Sequence, residues 1–337
     1  MHIPDPYQSS YKKALSTQTA LIRILDDVRH AGDRREVTVA VFFYFTKAFD
    51  WVDHRLLINR LRDLGFSCSA LRWLCSYLCN WKQAVQDHIS GKMTHPLRTE
   101  FYLLRFGEIL KNCKYNFHAD DLLIYLSTKP ENLCEAICKV NEDIVHISSW
   151  TLTNKLKLNP RKTVAMILGT AKYINSINVD EFSQVRVDDA VIPYSNSVEY
   201  LGFTISNTLS WNKQITKVCS RINASLHQLK ICKKLLPFNL RCHLISTLIF
   251  PLIDYCCATL MDIPGQLNLR LQRSLNAGIR FIFQVGRDEH ISPYYEKLKW
   301  LKIKYRRDYF VCCQTFTILY SREPAVLYNG FEHRRVG

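Results

Sequence analysis

The 337-residue chain has no Cys-x-x-Cys pair and no Cys/His group at zinc spacing, although it holds 13 cysteines. Cys75 and Cys79, and Cys134 and Cys138, lie four apart in segments of helical period, and Cys256-Cys257 and Cys312-Cys313 are adjacent pairs in apolar helical stretches. The spacing excludes a zinc module, and the odd count argues against a complete disulfide framework. Buried free thiols are the expectation. Apolar runs are also short, none approaching the ~20 residues that span a bilayer. Met1-His2-Ile3-Pro4-Asp5 lacks the basic and apolar regions of a secretion signal. The expectation is a soluble, intracellular protein with no membrane partner, its compartment and oligomeric state left open. Acidic side chains are scarce, 30 Asp+Glu against 45 Lys+Arg, for a formal charge of +15. That imbalance points to polyanionic partners, nucleic acid before an anionic membrane surface. With 47% hydrophobic and 22% charged residues, a packed core is expected and wholesale disorder is excluded.

The charge is uneven. Residues 213–307 hold 17 basic and 5 acidic side chains, so most of the excess sits in one C-terminal stretch. Surface lysines usually travel with acidic partners, and their scarcity here favours phosphate contact over a merely solvated face. Ser16 or Thr17 caps a helical period through Ala20, Leu21, Leu25 and Val28. Val37 to Phe43 reads as a buried strand, helices follow near 53–64 and 68–80, and Tyr115–His118 with Leu122–Leu126 reads as a hairpin. Residues 131–152 read as a helix, and 164–168, 183–187 and 198–205 as strands. Beyond Trp211 helices are predicted over 211–235, 238–258, 266–284 and 303–321. The fold class is therefore α+β, mixed to about residue 205 and helical afterwards. No internal repeat is present.

Two stretches carry chemistry. In Phe117-His118-Ala119-Asp120-Asp121-Leu122-Leu123 two carboxylates sit at the tip of an apolar strand–turn–strand. A turn Asp is commonplace because it bonds its own backbone. A doubled Asp between hydrophobic strands is less ordinary, since like charges that close repel unless a cation holds them. Mg²⁺ prefers carboxylate oxygen, and two-metal sites drive in-line phosphoryl transfer. The second stretch, Val41-Phe42-Phe43-Tyr44-Phe45-Thr46-Lys47-Ala48-Phe49-Asp50-Trp51-Val52-Asp53, runs from a strand through a turn into a helix opened by Asp53.

Together these stretches resemble the reverse transcriptase of non-LTR retrotransposons, the jockey-like elements of animals in particular. Tyr7–Ala20 resembles the fingers segment of that family, with Lys12 where an Arg is usual. Val37–Gly65 resembles motif A, Phe117–Tyr125 the metal-binding hairpin of motif C, and Trp150–Thr163 motif D. Val198–Trp211 resembles the primer-grip motif E, and Leu236-Pro237 with Pro251–Cys256 the thumb. Six matches in the family's order are more specific than any one. The resemblance implies a right-hand polymerase: a fingers remnant at 1–36, a palm at 37–205 and a basic helical thumb at 206–337. It implies that Asp120 and Asp121 hold Mg²⁺, that Phe49 packs under the incoming sugar and that Lys162 lies near the nucleotide phosphates as a proton donor. Leu201 and Gly202 would grip the primer, and an RNA or DNA template–primer duplex would run along the thumb. Core filling by Phe49 and simple solvation of Lys162 are the plainer alternatives.

The departures from the family pattern bear on activity. Where motif A has its metal-bridging Asp, this chain has Tyr44, a phenol with a reference pKa of ~10 and a poor Mg²⁺ ligand. Loss of one catalytic group commonly costs roughly 10²–10⁴-fold. Asp50 lies past the turn and Asp53 reads as a helix cap, so neither is expected to substitute. The Gly-Pro-Gln-Gly-Ser loop of motif B is missing, and no Pro-Gln-Gly occurs in the chain. His118 stands where an aromatic is usual. The chain is expected to lack most of the fingers and any upstream endonuclease. Three readings follow: a decayed copy with polymerase activity lost or severely impaired, a catalytically silent nucleic-acid-binding remnant, and an active RNA-directed DNA polymerase. The first leads.

Overall fold

The computed structural model describes residues 7–10, 12–46, 54–63, 65–78 and 106–331. Helix and sheet are mixed in the chain, which divides into two compact units. The first comprises residues 1–16 and 27–196, the second residues 17–26 and 197–337. Helix α1 (Thr17–Asp33) starts one residue after Ser16 and contributes to both.

The first unit is built on a four-stranded antiparallel sheet in the order β2-β3-β1-β4. Its strands are β1 (Val37–Phe43), β2 (Lys114–His118), β3 (Asp121–Thr128) and β4 (Val164–Leu168). All seven residues of β1 are buried, as expected of a central strand covered on both faces. Two helices follow β1, α2 (His54–Asp63) and α3 (Cys68–Leu78), which share a small cluster of Leu57, Ile58, Leu61 and Leu71. Helix α4 (Leu133–Thr153) repeats apolar residues at Leu133, Ile137, Val140, Ile144 and Ile147. That stripe packs on Val39, Val41, Phe43, Leu122, Ile124 and Ala165 of the sheet. The opposite face carries Thr38, whose hydroxyl meets Ser127 Oγ at 2.9 Å, and Tyr125, whose hydroxyl donates to Asp27 at 2.6 Å. A short helix α5 (Ala171–Ser176) and the hairpin of β5 (Val185–Val187) and β6 (Ala190–Ile192) complete the unit.

The second unit opens with a hairpin of β7 (Ser197–Tyr200) and β8 (Phe203–Ser206). It continues in helices α6 (Asn212–Ile231), α7 (Phe238–Leu248), α8 (Phe250–Asp254), α9 (Gly265–Phe283), α10 (Ser292–Leu298), α11 (Ile303–Ser321) and α12 (Ala325–Tyr328). Ile215, Ile222 and Leu226 of α6 and Leu271, Leu275, Ile279 and Ile282 of α9 are buried. Arg306 of α11 forms a two-pronged pair with Asp254 (2.5 Å on each arm) while its guanidinium lies over the Phe250 ring.

Three expectations need correction. The helix predicted over 238–258 is broken after Leu248, and a new short helix starts with Pro251 in its first turn. Proline lacks the amide hydrogen and its ring clashes with the carbonyl four residues back, which kinks or breaks a helix, and here it breaks it. The single strand predicted over 198–205 is a hairpin, turned by Leu201 (φ +49°) and Gly202 (φ +71°). The thiols are free, but Cys68, Cys134, Cys138, Cys232, Cys312 and Cys313 are exposed, and only Cys219, Cys256 and Cys257 of those described are buried. Helical spacing located these cysteines without saying which helix face meets the core. No helix among the described residues is long and apolar enough to cross a membrane.

Candidate nucleotidyl-transfer site

The hairpin β2–β3 ends on the pair His118↔Asp121, leaving Ala119 and Asp120 as a two-residue loop. Ala119 has φ +57°, a conformation that costs a non-glycine residue about 1 kcal/mol. Neighbouring backbone bonds hold it there. Ser10 Oγ accepts the Ala119 amide at 2.9 Å, and the Ser9 amide and hydroxyl both donate to the Phe117 carbonyl at 2.8 Å. The Phe117 amide donates in turn to the Tyr7 carbonyl at 3.0 Å. Residues 7–10 thus brace the outer edge of the hairpin and aim its loop.

Asp120 and Asp121 are both partly buried, and among the described residues neither carboxylate forms a hydrogen bond or ion pair. Burial, with the adjacent Asp120 charge, pushes the Asp121 carboxyl up to about 6. Burial pulls His118 below its usual value, with Asp120 acting against it, and its Nδ1 lies 3.2 Å from Ser9 Oγ. Two desolvated carboxylates without a counter-charge are a donor set for one hard divalent cation, since Mg²⁺ commonly takes one or two carboxylates and completes its shell with water and phosphate. They do not make a two-metal set. No group of three or more His, Cys, Asp or Glu residues is placed to hold a metal among the described residues.

The position expected to supply a third carboxylate is Tyr44. Strands β1 and β3 pair from Val37↔Thr128 to Phe43↔Leu122, so one further step of that register sets Tyr44 beside Asp121. The sheet thereby brings Tyr44, Asp120 and Asp121 to one strand end, with a phenol in the third place. The Tyr44 carbonyl accepts the Asn159 amide at 2.8 Å, and Thr46 donates to Lys157 O at 2.8 Å. Asn159 also caps the turn that carries Lys162, its carbonyl accepting the amides of Lys162 (3.1 Å) and Thr163 (3.0 Å). Lys162 is exposed at the same end of the sheet, two residues ahead of β4. Phe49, Asp50 and Asp53 lie outside the described residues, as does the stretch where motif B is expected.

Leu201 and Gly202 form the β7–β8 turn in the second unit. Two positive φ angles are the pattern of a type I′ turn, which favours Gly at its second position and tolerates Leu less readily. Tyr255 steadies it by donating its hydroxyl to the Leu201 carbonyl at 2.6 Å, with its ring alongside Gly202.

Sequence reading gave no individual role to Ser9, Ser10, Asn159 or Tyr255, although the motif matches include them, and it missed Asp143. The last is fully buried on α4 and accepts the amides of Lys111 (2.9 Å), Asn112 (3.0 Å) and Cys113 (2.8 Å), fixing the chain as it enters β2. A signal existed: Asp143 falls on the apolar stripe between Val140 and Ile147, where a carboxylate needs buried donors.

Comparison with known proteins agrees with the family resemblance. The family profile described as Reverse transcriptase (RNA-dependent DNA polymerase) matches residues 3–205. A Drosophila melanogaster protein named Probable RNA-directed DNA polymerase from transposon BS is 23% identical over 252 residues. That match covers 68% of this chain and 26% of the relative, so the chain spans about a quarter of that protein's length. Among solved structures, telomerase from Candida albicans in complex with a telomeric RNA fragment matches 88% of this chain and 55% of its own, at 9% identity and a TM-score of 0.38. The chain belongs to the reverse transcriptase (RNA-dependent DNA polymerase) family.

Proposed function

We propose that this chain is the polymerase module of a non-LTR retrotransposon in which RNA-templated DNA synthesis is lost or severely impaired. In this reading residues 37–205 are the palm, 206–337 the thumb and 1–36 a fingers remnant. The observation that carries it is that the β1–β3 ladder ends at Phe43↔Leu122, so that the next residues at that strand end are Tyr44 and Asp121, a phenol next to the paired carboxylates. Asp120 and Asp121 would hold a divalent cation, which when bound supplies charge neutralisation at the transferred phosphate. Ser9 and Ser10 keep the loop aimed, and Asn159 keeps the Lys162 turn against the same strand end. Phe49 would contact the sugar, and the Leu201-Gly202 turn would hold the primer. A neutral phenol adds no third anionic oxygen, so a cation there is held more weakly than by three carboxylates.

Primer extension on an RNA template with Mg²⁺ or Mn²⁺ tests this reading. The expected outcome is no detectable extension by the unmodified chain and measurable extension by Tyr44→Asp. Extension by the unmodified chain that Asp120→Asn abolishes would overturn the loss of activity. The second reading, a silent nucleic-acid binder, is favoured by the excess of basic residues over 213–307. It predicts template–primer binding by both versions of the chain.

A further inference from the structure

The helical unit contains a cavity of about 920 Å³ whose wall is basic. Lys230 closes the end of α6, Lys233 follows in the next turn, and Arg273, Ala277 and Arg280 line one side of α9. Arg287 reaches in from the loop after α9, and among the described residues no acidic side chain lines the cavity. Residues 273, 277 and 280 recur at helical spacing, so two guanidinium groups flank a methyl group and the small Ala277 leaves the space between them open. Arg280 is held in place, its Nε donating to Gly286 O at 3.1 Å and its Nη2 to Glu289 O at 3.3 Å. The neighbouring Glu289 carboxylate accepts the Tyr294 hydroxyl (2.6 Å) and the Gly286 amide (3.3 Å) and offsets part of the Arg280 charge, leaving the other four cations of the wall. None of Lys230, Lys233, Arg273 or Arg287 forms an ion pair among the described residues.

Cations near helix C-termini offset the helix dipole, which accounts for Lys230 and Arg280. It does not account for Arg273 in mid-helix, for Lys233 or for Arg287. Gathering five like charges around one cleft raises the potential there and is relieved by a ligand with several closely spaced negative charges. The lining aromatic, Phe281, is buried, so the wall offers no exposed ring on which a base could stack. We propose that this cavity is a binding pocket for clustered phosphates, supplied by a free polyphosphate or by consecutive phosphates of a nucleic-acid backbone, read without regard to base. The pocket is a property of the helical unit and does not require that the chain polymerise nucleotides.

Inorganic tripolyphosphate is the probe, titrated calorimetrically into the full chain at several salt concentrations. Saturable binding that weakens with salt is expected. Lys233→Ala combined with Arg273→Ala should weaken it roughly tenfold or more. Ala277→Phe, which removes no charge but fills the space, should do the same. Arg221→Gln combined with Lys304→Gln removes two charges away from the pocket and should change affinity less than about twofold. Competition by single-stranded RNA, lost in the pocket variants, would assign the phosphates to a nucleic-acid backbone; RNA that does not compete would assign them to a free polyphosphate. Equal loss in the pocket and control variants, no effect of Ala277→Phe, absence of tripolyphosphate binding, or tighter binding of oligoglutamate would each overturn the proposal.

Discussion

Asp121 is withdrawn from water by its strand position and faces a second negative charge on Asp120. Both effects favour its protonated form, so its folded pKa of about 6 lies above the ordinary 3.8. A carboxyl raised in this way contributes its full stability below pH 4, and that contribution is lost as pH rises through 6. Asp121→Asn should therefore stabilise the chain at pH 7 by about 1–2 kcal/mol, after allowance for partial exposure, and leave it unchanged near pH 3.5. Urea denaturation at the two pH values checks this, and equal shifts at both would mean that the carboxylates do not repel as described. The same repulsion makes a cation stabilising. Mn²⁺ or Mg²⁺ should raise the melting temperature of the unmodified chain by linkage, and Asp120→Asn should abolish most of that rise.

Among elements, helix α4 does more than cover the sheet. Its Asp143 gathers three amides at the entry to β2, and that strand carries the carboxylate loop. Asp143→Ala leaves three partly buried donors without their acceptor and should cost about 3–5 kcal/mol. Replacing exposed Glu135, whose pair with Lys139 is solvent-facing, should cost less than about 0.5 kcal/mol. Equilibrium denaturation of both variants separates the buried contribution from the exposed one, and similar losses would contradict the role given to Asp143. Strand β1, the β2–β3 hairpin, α4 and β4 were legible because each is an apolar run or stripe of ordinary length bounded by turn residues. The β7–β8 turn was not, because its first positive-φ position holds Leu201, a residue with no turn signature.

For the whole molecule, charge is the property that composition states most directly. Residues 213–307 carry 17 basic side chains against 5 acidic ones, and five of the basic side chains line a single cavity. If the helical unit binds a template–primer duplex through phosphates, the logarithm of affinity should fall linearly with the logarithm of salt concentration. Filter binding or fluorescence anisotropy across a salt series measures the slope, and a slope near zero would remove nucleic-acid binding through this surface as a role.

The amino-acid sequence by itself determined the family, through six motifs in order, and it determined the mixed fold and the basic C-terminal stretch. It also raised the expectation that Tyr44 occupies the place of a carboxylate, because that is a matter of residue type at a motif position. Only the tertiary structure decided how residues far apart in the chain meet. The β1–β3 register ends one residue short of Tyr44 and Asp121, residues 7–10 brace the carboxylate loop, Asn159 ties the Lys162 turn to Tyr44 at the end of β1, and Asp143 anchors the approach to β2. These contacts run through backbone carbonyls and amides, which every residue possesses. They leave almost no trace in side-chain identity until the chain has folded.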